Sequence, residues 1–135
     1  NHITNQDVFI SVAAVADYKV KNSSSQKMKK DGSGKVPIIE LTENPDILAS
    51  IASLPTPPFC VGFAAESERV LEYARIKRIR KNIPMLVANQ ISQSMGKTTN
   101  QITIIDDENE ISFPETDKRQ AADNIVQHLA ARLNR

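Results

Sequence analysis

Val8-Phe9-Ile10-Ser11-Val12-Ala13-Ala14-Val15-Ala16-Asp17-Tyr18 is an almost unbroken apolar run that ends abruptly in a carboxylate. A strand apolar on both faces belongs in the middle of a sheet covered on both sides, so the run points to a parallel α/β architecture. In open sheets of that kind ligands bind beyond the carboxyl ends of the strands, which is where the run places Asp17. A core strand followed by a turn aspartate would account for the same residues without a ligand.

Outward from this stretch, the 135 residues, 40% of them hydrophobic, suit one domain able to bury a core without disulfides or metals. Seventeen basic residues against sixteen acidic ones leave a net charge of +1, so no global field steers the chain toward nucleic acid or membrane. No apolar run approaches the roughly 18 residues that span a bilayer, and no signal-peptide pattern opens the chain. Cys60, the only cysteine, lies inside the apolar run Phe59 to Ala65, which excludes an internal disulfide and fits a reducing compartment, the cytoplasm by default. The chain opens on Asn1 rather than Met, with a strand almost at once, so we expect the later part of a longer polypeptide.

Residues 22–35 are polar, rich in serine and lysine, and without apolar period; they are expected to form a mobile, lysine-rich lid loop. Val36 to Leu41 suits a short strand. Asn44-Pro45-Asp46 then reads as a helix start, with Asn44 capping, Pro45 in the first turn and Asp46 complementing the positive helix end. That helix runs through Ile47, Leu48 and Ile51 and leads to a second buried strand, Phe59 to Ala64. Ser67 caps the next predicted helix, Glu68 to Lys81, which Asn82 and Pro84 stop. Met85 to Ala88 is a third buried strand. Gln101 to Asp106 and Glu110 to Phe113 form an antiparallel hairpin, and Asp117 with Gln120 resembles a capping box before a last helix striped by Ala121, Ala122, Ile125, Val126, Leu129 and Leu133.

Three features could carry chemistry. Lys27-Met28-Lys29-Lys30 puts three ammonium groups in the loop, either a solvated run or a cationic lid over a phosphate. Arg75, Lys77, Arg78, Arg80 and Lys81 crowd a helix C-terminus, where cations are favoured anyway. Lys77 and Lys81 are nonetheless one turn apart, and an ammonium 4 Å from a phosphate charge is worth about 4 kcal/mol at an effective dielectric of 20. The Asn44-Pro45 helix start adds backbone N–H groups. There is no Walker loop and no GxGxxG. His2 and His128 read as surface or packing residues, and Cys60 as a core filler. No aromatic residues interleave the lysines, so nucleic acid is not an expected partner.

Taken in order, Ala13-Ala14-Val15-Ala16-Asp17-Tyr18, Lys27-Met28-Lys29-Lys30, Asn44-Pro45-Asp46-Ile47, Gly62-Phe63-Ala64-Ala65-Glu66 and Lys77-Arg78-Ile79-Arg80-Lys81-Asn82 resemble bacterial phosphopantothenoylcysteine synthetase. That ligase is usually the second half of a bifunctional coenzyme A biosynthesis flavoprotein. The resemblance implies a Rossmann-like three-layer α/β fold with a mostly parallel sheet and a C-terminal antiparallel hairpin. It implies a two-step reaction: the carboxylate of 4'-phosphopantothenate attacks the α-phosphate of CTP, and the acyl cytidylate so formed is attacked by the amine of L-cysteine. CTP rather than ATP rests wholly on the bacterial branch.

By resemblance, Lys27 is the lid lysine that stabilises the activated intermediate. Ser11, Val12, Ala13 and Asp17 contact the nucleotide, as do Pro45, Asp46, Ile47 and Leu48 at the helix start, Phe63, Lys77 and Lys81. Mg2+ is implied and its ligands are not. A homodimer is expected, fused in the full-length protein to a flavin-dependent decarboxylase. The decarboxylase half has no counterpart here, so no FMN is expected. The family's earlier Gly-rich nucleotide segment has none either, so we expect one ligase domain over residues 1–135 that lacks that segment.

Overall fold

The structure, a computed structural model, describes residues 3, 5–30, 32, 34–66, 69–90 and 99–134. The elements are β1 (Val8–Ile10), β2 (Tyr18–Val20), β3 (Leu41–Glu43), α1 (Ile47–Ala52), β4 (Phe59–Glu66), α2 (Val70–Arg80), β5 (Met85–Gln90), β6 (Thr99–Ile105), β7 (Glu110–Ser112), β8 (Thr116–Asp117) and α3 (Lys118–Leu133). They form two compact units, one of residues 1–12 and 47–135, the other of residues 13–46.

In the larger unit the strand order is β1-β4-β5-β6-β7, with β8 also on β6. β4 pairs in parallel with β1 and β5, whereas β6 pairs antiparallel with β5, β7 and β8. The sheet is therefore mixed, parallel on one side and antiparallel through the hairpin on the other. Its central strands are buried on both faces, and their alternating side chains divide into two cores. Cys60, Ala64, Leu86, Ala88 and Ile105 face Leu48 and Ala52 of α1 and Ala74 of α2. Val61, Met85, Val87, Ile102 and Ile104 face Ala121, Ile125 and Leu129 of α3. Helices on both faces make three layers, and each fully buried Leu, Ile or Val contributes roughly 1.5–3 kcal/mol by leaving water.

The opening run corrects the first expectation: it is not one long buried strand. The ladder to β4 spans only Val8 to Ile10, and Val12 and Val15 are 67% and 53% exposed. Past Ile10 the run includes Ala13, Ala14 and Ala16, small residues that pack poorly on a pleated surface, and the chain leaves the sheet. Asp17 consequently does not close the first strand but precedes β2 in the smaller unit. There β2 and β3 form a two-stranded antiparallel ribbon. The strand expected at Val36 to Leu41 falls later, at Leu41–Glu43, and Ile38 stays 92% exposed.

Helix boundaries follow local chemistry. Asn82 takes a left-handed φ of 50°, its N–H bonds the Ile79 carbonyl, and the Ile83 N–H bonds that of Arg78. This is a Schellman stop, with Asn in the position that tolerates positive φ. Asp117 caps α3 by accepting the Gln120 N–H at 2.8 Å, but the Gln120 side chain donates to Asn124 instead, so only half of the capping box forms. The Asn44 side-chain amide donates to the Ala16 carbonyl at 2.8 Å. The proposed Ser67 cap lies outside the described residues, as does His2.

Candidate functional site

At the carboxyl end of β1 the sheet is stepped. The Ser11 N–H donates to the Val61 carbonyl at 2.9 Å, one rung beyond the last paired residues, while β4 continues to Glu66. From Phe63 onward that edge of β4 has no strand partner among the described residues. Such a step, outside the end of a parallel strand, is where open α/β sheets take ligands.

Three consecutive β4 residues gather the expected contacts of this unit. Val61 receives Ser11. Gly62 lets α1 come down onto the strand, since a Cβ there would lie 2.9 Å from Leu48 Cδ2 and 2.7 Å from Ile83 Cδ1. Phe63 points to the opposite face and packs, half-buried, against the α3 core. Leu48 itself is 7% exposed, so its side chain belongs to the core and only its backbone could meet a ligand, whereas Ile47 is 49% exposed. Val12 is exposed just past the step.

Lys77 and Lys81 are both half-buried at the C-terminal end of α2, and the Lys81 N–H bonds the Lys77 carbonyl at 3.0 Å, which puts the two one turn apart as expected. Two other cations of that cluster, Arg75 and Arg78, have structural partners. Arg75 makes two 2.8 Å hydrogen bonds to Glu110, and the Arg78 Nη1 donates to the Ile83 and Pro84 carbonyls at 3.4 Å.

Asn89 was not singled out by its sequence. Its Oδ1 is buried without a hydrogen-bond partner among the described residues, near the carboxyl end of β5 and in register with Ala65 of β4. By strand alternation it shares the face of Phe63. A buried acceptor left without a donor costs about 1–3 kcal/mol unless something else supplies one. The signal available was a polar residue closing the apolar run Met85 to Ala88, the same pattern that drew attention to Asp17.

The remaining expected residues, Ala13, Asp17, Lys27, Pro45 and Asp46, belong to the smaller unit and are exposed. The Asp17 carbonyl accepts the Asn44 N–H at 2.8 Å, closing the β2–β3 ribbon. Lys27 lies on the loop beside Gln26 and Met28, which with Val20, Ile38 and Ile39 line a groove of ≈ 460 Å³. Ser24 shapes that loop by accepting the Gln26 N–H at 3.1 Å.

Two further groups are perturbed. Burial pushes the Cys60 thiol up, consistent with an inert core filler. Burial acts to raise the Asp106 carboxyl, but hydrogen bonds from His128 and from the Glu108 and Asn109 amides, with the Arg132 guanidinium, outweigh it and hold it below the usual carboxylate range. His128 is thus a packing residue with a specific ionic partner. No three His, Cys, Asp or Glu side chains converge as metal ligands among the described residues. No described helix is long and apolar enough to cross a membrane.

Comparison with known proteins agrees with this architecture. The chain is 42% identical over 130 residues to the coenzyme A biosynthesis bifunctional protein CoaBC of Vibrio cholerae, covering 93% of this chain and 32% of that protein. It is 46% identical over 93 residues to the protein of the same name from Escherichia coli, covering 67% of this chain and 23% of that one. It thus spans about a third or less of these relatives. The crystal structure of a CoaBC C-terminal domain superposes with a TM-score of 0.75 at 32% identity, over 98% of this chain and 58% of that one. A DNA/pantothenate metabolism flavoprotein from Streptococcus pneumoniae shares the fold, with a TM-score of 0.76 at 16% identity over 97% of this chain and 66% of that one. The family model for the DNA/pantothenate metabolism flavoprotein C-terminal domain matches residues 1–133, and the chain belongs to that family.

Proposed function

We propose that this chain is the nucleotide-binding part of a CTP-dependent phosphopantothenate-cysteine ligase acting in coenzyme A biosynthesis. The observation that carries the reading is the step at the end of β1. There Ser11 bonds to β4 at Val61, Phe63 of β4 lies just beyond, and Asn89 presents a buried acceptor on the face of Phe63. An amino group of a base or a bound substrate amide could donate to that acceptor, and the free backbone edge of β4 could pair with a heterocycle.

In this reading Lys77 and Lys81 face the polyphosphate. The carboxylate of 4'-phosphopantothenate attacks the α-phosphorus, the bond from that phosphorus to the α,β-bridging oxygen breaks, and pyrophosphate leaves. Negative charge grows on the phosphate oxygens, and a fixed ammonium stabilises that charge more than the ground state; Lys27 is assigned this role. The cysteine amine then displaces CMP from the acyl cytidylate and loses a proton as the amide forms. Mg2+ would travel with the nucleotide phosphates, as this ion commonly does. A homodimer, fusion to a flavoprotein half and a cytoplasmic setting complete the proposal.

The test is pyrophosphate release from CTP by the full-length protein. Release is expected to require phosphopantothenate and to fall by at least about a hundredfold in Lys27→Gln, in line with the loss of one transition-state charge contact. CTP binding without pyrophosphate release under any substrate combination would instead make this a noncatalytic nucleotide-binding module. Tighter binding of ATP than of CTP in calorimetric titration would overturn the choice of nucleotide.

A further inference from the structure

Asp106 follows β6 directly and has a side chain with 0% exposure. Its Oδ1 accepts the Glu108 and Asn109 N–H groups at 2.8 and 2.6 Å, which folds the tip of the β6–β7 hairpin. Its Oδ2 accepts from His128 Nε2 at 2.7 Å, with Arg132 Nε 3.6 Å away. His128 and Arg132 are one turn apart on α3, and their side chains are only 13% and 11% exposed. Arg132 also pairs with Asp107 and, at 2.7 Å, with Glu108. These are the charged groups that meet here: Asp106, Asp107 and Glu108 from the hairpin, His128 and Arg132 from the helix. Glu110, the next carboxylate, is taken by Arg75 of α2.

The two halves of α3 are held differently. The first has the Asp117 cap and buries Ala121 and Ile125; the second buries Leu129 and otherwise relies on the charged cluster. The cluster also lies away from the candidate site, because Ile105 pairs with Leu86 near the start of β5 while Asn89 is near its end.

We propose that the hairpin tip and the second half of α3 form an acid-releasable latch, closed by the Asp106 carboxylate and opened when that carboxylate takes up a proton. Every group facing its oxygens is an N–H donor, so a proton on either oxygen finds no acceptor. The sign follows. The folded-state carboxyl is held below its unfolded value of about 3.9, so the latch is fully stabilising above that pH and is lost as pH falls through the folded value.

Amide hydrogen exchange on the full chain between pH 7 and pH 3, corrected for intrinsic rates, tests the latch. Below about pH 4, residues 127–133 should lose at least about tenfold more protection than residues 85–90, in line with the loss of one hydrogen bond to a charged group. Asp106→Asn keeps an acceptor for the two turn amides but has no charge; it should show the loss already at pH 7 and abolish the pH step. Asp107→Asn and Glu108→Gln, at exposed positions, should keep the step. His128→Gln retains an N–H donor without the charge, so the step should move to higher pH, and this variant decides the matter if Asp106→Asn does not fold. A step that persists in Asp106→Asn or stays unmoved in His128→Gln would overturn the proposal. So would simultaneous loss of protection in α3 and β5.

Discussion

Gly62→Ala tests whether the close approach of α1 to β4 is set by a missing methyl. An added Cβ would lie 2.7 Å from Ile83 Cδ1 and 2.9 Å from Leu48 Cδ2, with Leu86 Cδ1 at a comfortable 3.9 Å. Carbon atoms pack best at about 3.5–4.0 Å, so both near neighbours must retreat by close to 1 Å. Ile83 is 2% exposed and Leu48 7%, so neither has solvent to retreat into. Overpacking of this kind costs about 1–3 kcal/mol. The strand conformation of Gly62 suits alanine, and the stiffer unfolded chain returns about 0.4–1 kcal/mol. The expected net loss is roughly 1–2 kcal/mol, read from urea unfolding followed by far-UV circular dichroism. The decisive measurement is a double-mutant cycle with Leu48→Ala. That change alone should cost about 2–5 kcal/mol, but it removes one of the two close contacts, so Gly62→Ala should cost measurably less in that background. A coupling below about 0.5 kcal/mol, the scatter for independent sites, would refute the packing argument.

Asn89→Ala removes a buried acceptor that has no partner among the described residues, so thermal unfolding should show unchanged or higher stability while calorimetric titration shows at least about tenfold weaker CTP binding, as for a lost buried hydrogen bond. A destabilised variant with intact CTP affinity would remove Asn89 from the site. Asp117→Ala deletes the α3 cap and should cost about 0.5–2 kcal/mol in urea unfolding. Asp117→Asn should recover most of that loss, since it still offers an oxygen to the Gln120 N–H.

Some elements were legible because their signals are local. The runs Phe59 to Ala64 and Met85 to Ala88 become β4 and β5, the Asp107-Glu108-Asn109 break becomes the hairpin tip, and Asn82 stops α2. The family was legible as well, from motifs spread along the chain, and the family model agrees. The candidate site was only partly so. Leu48 was expected to meet nucleotide; its side chain fills the space over Gly62, which leaves its backbone for that role, and Asn89 became visible only through an oxygen without a donor among the described residues.

By itself, the amino-acid sequence determined which segments carry enough apolar surface to be covered on both faces, where helices stop, and which family the motifs belong to. These are properties of neighbours in the chain. Tertiary structure alone decided that the run opened by Val8 leaves the sheet at Ser11, since an apolar residue is buried only if another element covers it. It also decided that Asp106 meets His128, a pairing across 22 residues. A carboxylate and an imidazole carry no mark of their partner until β6 and α3 pack together and take both out of water.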